Sequence, residues 1–300
     1  MNIRVSDIAG YLNTTFEGDD ILITGISSIF NIKSNTLCFV KNKQNVYCNK
    51  PFLLLAPKGY KNSANNSIIL VDNPRLSYAK VVSNFLAEKE EVEDHKTAMI
   101  HSTATIGKGS CIGVYSSIGK NVKIGNNTII KNNVHIDDNV FIGDNCYIKS
   151  NTVVGESGFG FVFDNKIPFK VPHLGSVIIG NNVEVGANCT IARGTIEHTI
   201  IDNHVKIDDH VHVAHNCRIG AQTVITAHAL LSGSVTIGEL CWIGPNSSII
   251  HNTVIKKNSL IGIGSIVTKD LPEGSKVMGL HAITLRLLGR FKKLYKYGSK

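Results

Sequence analysis

The sequence predicts a mainly β protein organised around a parallel β-helix, with a small α/β unit before it and a helical tail after it. Three observations carry that prediction. An apolar residue recurs at every sixth position from Ile100, through Ile106, Ile112, Ile118, Ile124, Ile130, Ile136, Ile142 and Ile148 to Val154. The stretches between are turn-formers such as IGNN, IDDN and IGDN, rich in Gly, Asn and Asp. Residues 1 to 97 show no such period.

A period of six matches neither the 3.6-residue helix nor a plain two-residue alternation confined to one hairpin. It fits short strands that each point one aliphatic side chain inward, three strands making a triangular coil of roughly 18 residues. Successive coils then stack as parallel strands about 4.7–4.9 Å apart. The phase returns after a break as Ile179, Val185 and Ile191, shifts by four residues around TIEHT, and runs from Ile201 to Val267. Four positions after the inward residue the side chain is small or thin: Val122, Thr128, Val134, Val140, Cys146, Thr152, Cys189, Cys217 and Cys241. Four of the seven cysteines are thereby expected to be buried fillers rather than metal ligands.

In the first segment, VSDIAGYL and LSYAKVVSNFLA have helical spacing, and ILITGISSI and SIILVDNP read as strands. The acidic run from Glu88 to Lys96 reads as a solvated linker. Pro272 and Gly274 punctuate the end of the repeat, and the last twenty residues read as one amphipathic helix. The expected division is residues 1–97, a β-helix over 98–272, and a helical tail over 273–300.

The formal charge is +8, and the tail alone carries Arg286, Arg290, Lys292, Lys293, Lys296 and Lys300 with no acid. That is where an acidic partner would dock. Nucleic acid is not an expected partner, because the remaining basic residues are scattered. No apolar run approaches the about 20 residues of a membrane span. The start lacks the pattern of a secretory signal, so a cytoplasmic protein with reduced cysteines is expected.

Four motifs narrow the reading: VDNPRLSYAK (71–80), GESGFGFVFDNKIPFKVPHLGSVIIG (155–180), IARGTIEHTIID (191–202) and KIDDHVHVAHNCRIG (206–220). In this order they resemble the UDP-3-O-acylglucosamine N-acyltransferase family of lipid A synthesis, one of the hexapeptide-repeat acyltransferases. The resemblance implies a left-handed coil, a homotrimer, and transfer of an acyl group from a thioester to the amine of a nucleotide-linked aminosugar. It makes His215, in VAHN, the general base. One coil further on stands Gly233, whose backbone N–H the family uses for the oxyanion. His212 and His251 are candidate supports, and Gly158, Phe159, Gly160 and Phe161 form the substrate loop. Phe39 is implied to stack on the nucleotide base and Asn42 to hydrogen-bond its edge, with Tyr47 nearby.

Some positions depart from the family pattern. Lys43 and Asn45 stand where a proline and an aromatic are expected, Ala192 replaces an aspartate, and Asp209 replaces an asparagine. The base is therefore uridine or thymidine, and the donor an acyl carrier protein or coenzyme A thioester, with no tightly bound cofactor and no metal. A tailoring N-acyltransferase on a UDP- or dTDP-dideoxyaminosugar for a surface polysaccharide is the first alternative. A zinc carbonic anhydrase, using His210 and His215, is a distant one, and a binding module that has lost catalysis is another. His95, His101, His135, His173, His204 and His281 read as solvated surface residues.

Overall fold

The computed structural model describes residues 2–42, 46–61, 66–86 and 96–279. Residues 88–95 of the expected linker and the expected C-terminal helix, with Lys43, Asn45, His95 and His281, lie outside them. The chain divides into two compact units, Met1–Glu91 and Val92–Lys300.

The first unit is built on a four-stranded parallel sheet of Gly25–Ile26, Thr36–Phe39, Phe52–Pro57 and Ser67–Val71. Both faces are covered, as parallel sheets require. Leu37, Leu53, Leu55 and Ile69 pack with Ile8 of the helix Val5–Tyr11, while Cys38, Phe52, Leu54 and Ile68 form the opposite core. The helix Pro74–Val81 begins where DNP says it should. Asn73 accepts from the Leu76 N–H at 3.1 Å, and Pro74 occupies the first turn, where its missing N–H is harmless.

The second unit is a left-handed parallel β-helix whose three faces hold, among the described residues, nine, eight and nine strands. Most strands are two residues long, with the second residue buried. Ile112, Ile130, Ile136, Ile142, Ile148 and Val154 are fully buried and form one end of a continuous column that runs to Val267. Ile100, at 37% exposed, and the half-buried Ile106 are the exceptions, because their strands end their sheets and have no coil beneath them. Corners close through asparagines in the left-handed region, from Asn121 at φ 56° to Asn151 at φ 62°. Asn tolerates this conformation better than other side chains do. A second device runs along one edge. Asn126 accepts from the Lys108 N–H, Asp144 from the Asn126 N–H, Asn181 from the Asp144 N–H and Asn203 from the Asn181 N–H, at 2.6–2.9 Å.

Two excursions interrupt the coil. After Val154 the chain leaves the rung, forms an antiparallel hairpin of Phe161–Asp164 with Ile167–Lys170, and returns at Val177. The TIEHT insertion lies between the strands Thr190–Arg193 and Thr199–Ile201. Neither breaks the stacking, since Val154 pairs with Ile191 and Ile191 with Val213. The coil also outlasts Val267, because Lys276–Val277 pairs with Leu260–Ile261. Cys146, Cys189, Cys217 and Cys241 are buried free thiols among these rungs, as expected of fillers. Burial pushes the Cys189 thiol up to about 11 and the Cys217 thiol up to about 12.

Candidate active site

His212–Val213 pairs in parallel with Leu230–Leu231, so His215 and Gly233 occupy the same corner on adjacent rungs. The backbone confirms the stacking, with the Ser234 N–H donating to the His215 carbonyl at 2.9 Å. The imidazole points outward and lies over the glycine. A methyl group on Gly233 would sit 2.6 Å from Cε1 and 2.7 Å from Nε2 of His215. The rung hydrogen bonds run from Ser232 N–H to the Ile249 carbonyl and from Ser234 N–H to His215, leaving the Gly233 N–H outside the ladder.

Asn216 decides the tautomer. Its Oδ1 accepts from the Thr195 N–H at 3.1 Å and from the Thr195 hydroxyl at 2.8 Å, so it is an acceptor. His215 Nδ1, 3.0 Å from the same oxygen, must be the protonated nitrogen. That leaves a lone pair on Nε2, the atom nearest Gly233 after Cε1. Thr195 belongs to the TIEHT excursion, and Thr199 at its other end accepts from the Asn216 N–H at 2.9 Å. The four-residue register shift thus supplies the clamp on the residue beside His215.

These groups open on a cavity of about 540 Å³, lined by Glu156, Ser157, Gly158, Phe159, Thr190, Ala192, His212, Ala214, Leu230 and Ser232 together with His215 and Gly233. His212 stands on its wall, its Nδ1 2.6 Å from the Thr190 hydroxyl. Desolvation there, helped by His215, holds its pKa below the ordinary histidine range. Of the expected loop, Gly158 and Phe159 line the cavity. Gly160 packs on His173, and Phe161 begins the hairpin, its ring 4.8 Å from that of Phe159. His251 does not join them: it stands exposed one coil past Gly233, outside the lining.

One expectation is overturned. His173 is not a solvated surface residue but only 6% exposed, with its ring 5.2 Å from that of His215 at 73°. The excursion that carries it folds back onto the coil. Its Nδ1 donates to the Val171 carbonyl at 2.9 Å, and its buried Nε2 has no hydrogen-bond partner among the described residues. The glycines of GFGF follow from this contact. A methyl on Gly158 would lie 2.9 Å from both His173 Nε2 and His215 Cβ, and one on Gly160 2.8 Å from His173 Cε1. The segment is bolted at its base by Arg193, which pairs with Asp137 at 2.8 Å and donates to the Gly155 carbonyl.

The zinc pairing fails on geometry. His210 stacks on His228, rings 4.8 Å apart and parallel, while His215 turns to Gly233. Among the described residues the one group with metal-ligand spacing is His135, Asp137 and Glu156, in which Asp137 is already neutralised by Arg193. His135 is itself half-buried, 2.6 Å from the Ser117 hydroxyl, rather than free in solvent.

The first unit has a cavity of its own, about 640 Å³, where Phe39 and Asn42 meet Ser27, Phe30, Lys41 and Tyr78. Tyr47 is absent from this lining and 70% exposed. The aromatic beside Phe39 is instead Tyr78, ring centroids 4.8 Å apart. No helix among the described residues is long and apolar enough to cross a membrane.

The repeat family described as Bacterial transferase hexapeptide (six repeats) matches residues 103–138, and Hexapeptide repeat of succinyl-transferase matches 176–196 and 234–269. The UDP-N-acetylglucosamine acyltransferase of Francisella novicida superposes with a TM-score of 0.58 at 27% identity, covering 67% of this chain and 78% of that one. The corresponding protein of Campylobacter jejuni gives 0.56 at 25%, covering 66% and 77%. A UDP-3-O-acylglucosamine N-acyltransferase of Bordetella pertussis is 40% identical over 133 residues, 43% of this chain, and the match spans 37% of that relative's length. One of Campylobacter lari is 38% identical over 301 residues, 95% of this chain and 94% of the relative. Sharing more than a third of its residues with a relative along almost the full length of both, and carrying the hexapeptide coil, the chain belongs to the UDP-3-O-acylglucosamine N-acyltransferase family.

Proposed function

We propose that this protein is an N-acyltransferase that moves an acyl group from a phosphopantetheine thioester to the amine of a UDP-linked aminosugar, as in lipid A synthesis in the cytoplasm. The observation that carries the reading is the His215 imidazole lying on Gly233 inside a cavity bordered by the GFGF turn. The tautomer set by Asn216 leaves His215 Nε2 free to take a proton from the attacking amine. As the C–N bond forms, the carbonyl oxygen becomes an oxyanion, and the Gly233 N–H donates to it. Collapse of the tetrahedral intermediate breaks the C–S bond, and the departing thiolate takes the proton from the His215 imidazolium. No metal is needed for this sequence.

Phe39 stacks on the base and Asn42 bonds its edge, with Tyr78 completing the aromatic wall in place of Tyr47. The full-length relative supports a uridine nucleotide over a dTDP-dideoxyaminosugar, and a transferase over a carbonic anhydrase. The donor is acyl carrier protein or acyl-CoA, which present the same thioester. Three copies associate along the coil, burying outward side chains that are exposed in one chain, among them Phe141, Leu230, Trp242, Leu260 and Ile266. The test is a matrix of 3-hydroxyacyl carrier protein and acetyl-CoA against UDP- and dTDP-aminosugars. Turnover with a UDP-linked amine is the expected result; turnover with dTDP sugars alone would overturn the acceptor.

A further inference from the structure

His173 stands outside the chemistry just described, yet it is a buried titratable group beside it. It arrives on the return limb of the hairpin excursion, is nine-tenths buried, and touches the ring of the base. Its Nδ1–H is committed to the Val171 carbonyl, so Nε2 carries a lone pair. That lone pair is buried, unpartnered among the described residues, and faces the Gly158–Gly160 turn where the turn meets His215.

Burying an unpaired acceptor is unfavourable, and an apolar ring of the same shape would fill the space without that penalty. The bond to Val171 accounts for the donor at Nδ1, but packing gives no reason for the lone pair at Nε2. Electrostatics does. When His215 takes the amine proton, it becomes a cation against whatever lies beside it. A charged neighbour would oppose that step, and a lone pair favours it.

Resting on the reading of His215 as the base, we propose that His173 is a positioning residue: a second, neutral imidazole that wedges His215 against Gly233 and presents a lone pair to the imidazolium formed during transfer. Its neutrality has identifiable causes. Burial lowers its pKa, and the charged groups that act on it, His215, Lys170 and Arg193, all lower it further. The hydrogen bond to Val171 opposes them but does not reverse the direction.

The experiment compares the full chain with His173→Phe, which keeps a ring but removes the lone pair together with the bond to Val171, and His173→Gln, which restores a side-chain donor and acceptor. The His215 Cε1–H resonance is titrated by NMR, and kcat and KM are measured with the thioester and a UDP-aminosugar. In His173→Phe the melting temperature is kept, the His215 midpoint falls by about 0.5 pH unit, and kcat falls about tenfold with KM within about twofold. His173→Gln recovers most of both. An unchanged midpoint and kcat in His173→Phe would overturn the proposal, as would equal losses in both variants that track a falling melting temperature. A wild-type chain that transfers no acyl group would defeat the functional reading alone. The midpoint is read without substrate and still decides the role of His173.

Discussion

The side-chain oxygen of Asn216 lies 3.0 Å from His215 Nδ1 while also accepting two hydrogen bonds from Thr195. Adjacent residues in sequence are thus locked together by a third that lies across the coil boundary.

Replacing the amide by a carboxylate tests that lock. Asn216→Asp keeps an acceptor and tolerates the φ of 61°, but places a negative charge against the Nδ1–H. The imidazolium is favoured, so the acid limb of kcat/KM moves to higher pH by about one unit. A profile superimposable on the wild type would show that Asn216 does not act on the proposed base, His215.

His215→Ala should fold normally, since the ring is only half-buried, and lose on the order of 10²–10⁴ in kcat. Circular dichroism and a melting curve separate lost chemistry from lost structure.

Gly233→Ala adds one methyl directly under the imidazole, 2.6 Å from Cε1. The ring has to move, and the proposed base and oxyanion site are misplaced together. About a 10²-fold loss in kcat is expected, with thermal stability little changed because the site is at a corner, outside the aliphatic column. Activity above half of wild type would mean that the acyl carbonyl does not approach this rung.

The thiols offer a check on the core. With Cys217 pushed up to about 12 and Cys189 to about 11, neither holds appreciable thiolate at pH 8. Native protein should therefore react first at the half-buried Cys48, and these two only after unfolding. Mass spectrometry after a timed alkylation reads the order directly.

Acid should also expose the buried histidine. The His173 pKa is depressed in the fold, so the unfolded chain binds its proton first as pH falls below about 6.5. The stability this neutral ring contributes is full above that value and is lost as pH drops toward the folded pKa. The melting temperature of wild type should fall more steeply between pH 7 and 5 than that of His173→Phe; parallel curves would contradict the burial.

How much of this was legible in the sequence depends on whether a residue obeys the period. The inward column could be counted, and His215 and Gly233 were matched by adding one coil, because stacking turns a spacing into a contact. His173 could not be placed that way. It sits on an excursion with no period, and its burial depends on a hairpin folding back, a tertiary event that local spacing does not encode. The Asn216–Thr195 bond was hidden for the same reason, although the register shift at TIEHT marked the place. In the first unit the sequence offered Tyr47 as the displaced aromatic of the family pattern, whereas the fold brings Tyr78, midway along the helix Pro74–Val81, against Phe39 of the strand Thr36–Phe39.

The two excursions leave Val154, Ile191 and Val213 stacked as though nothing had intervened. What distinguishes this coil from a bare solenoid, the hairpin, the threonine clamp and the buried histidine, has been threaded out at a corner and returned to the same thread of the screw. Such a scaffold can acquire new chemistry by lengthening its corners, while any insertion inside a strand would jam the pitch of every turn above it.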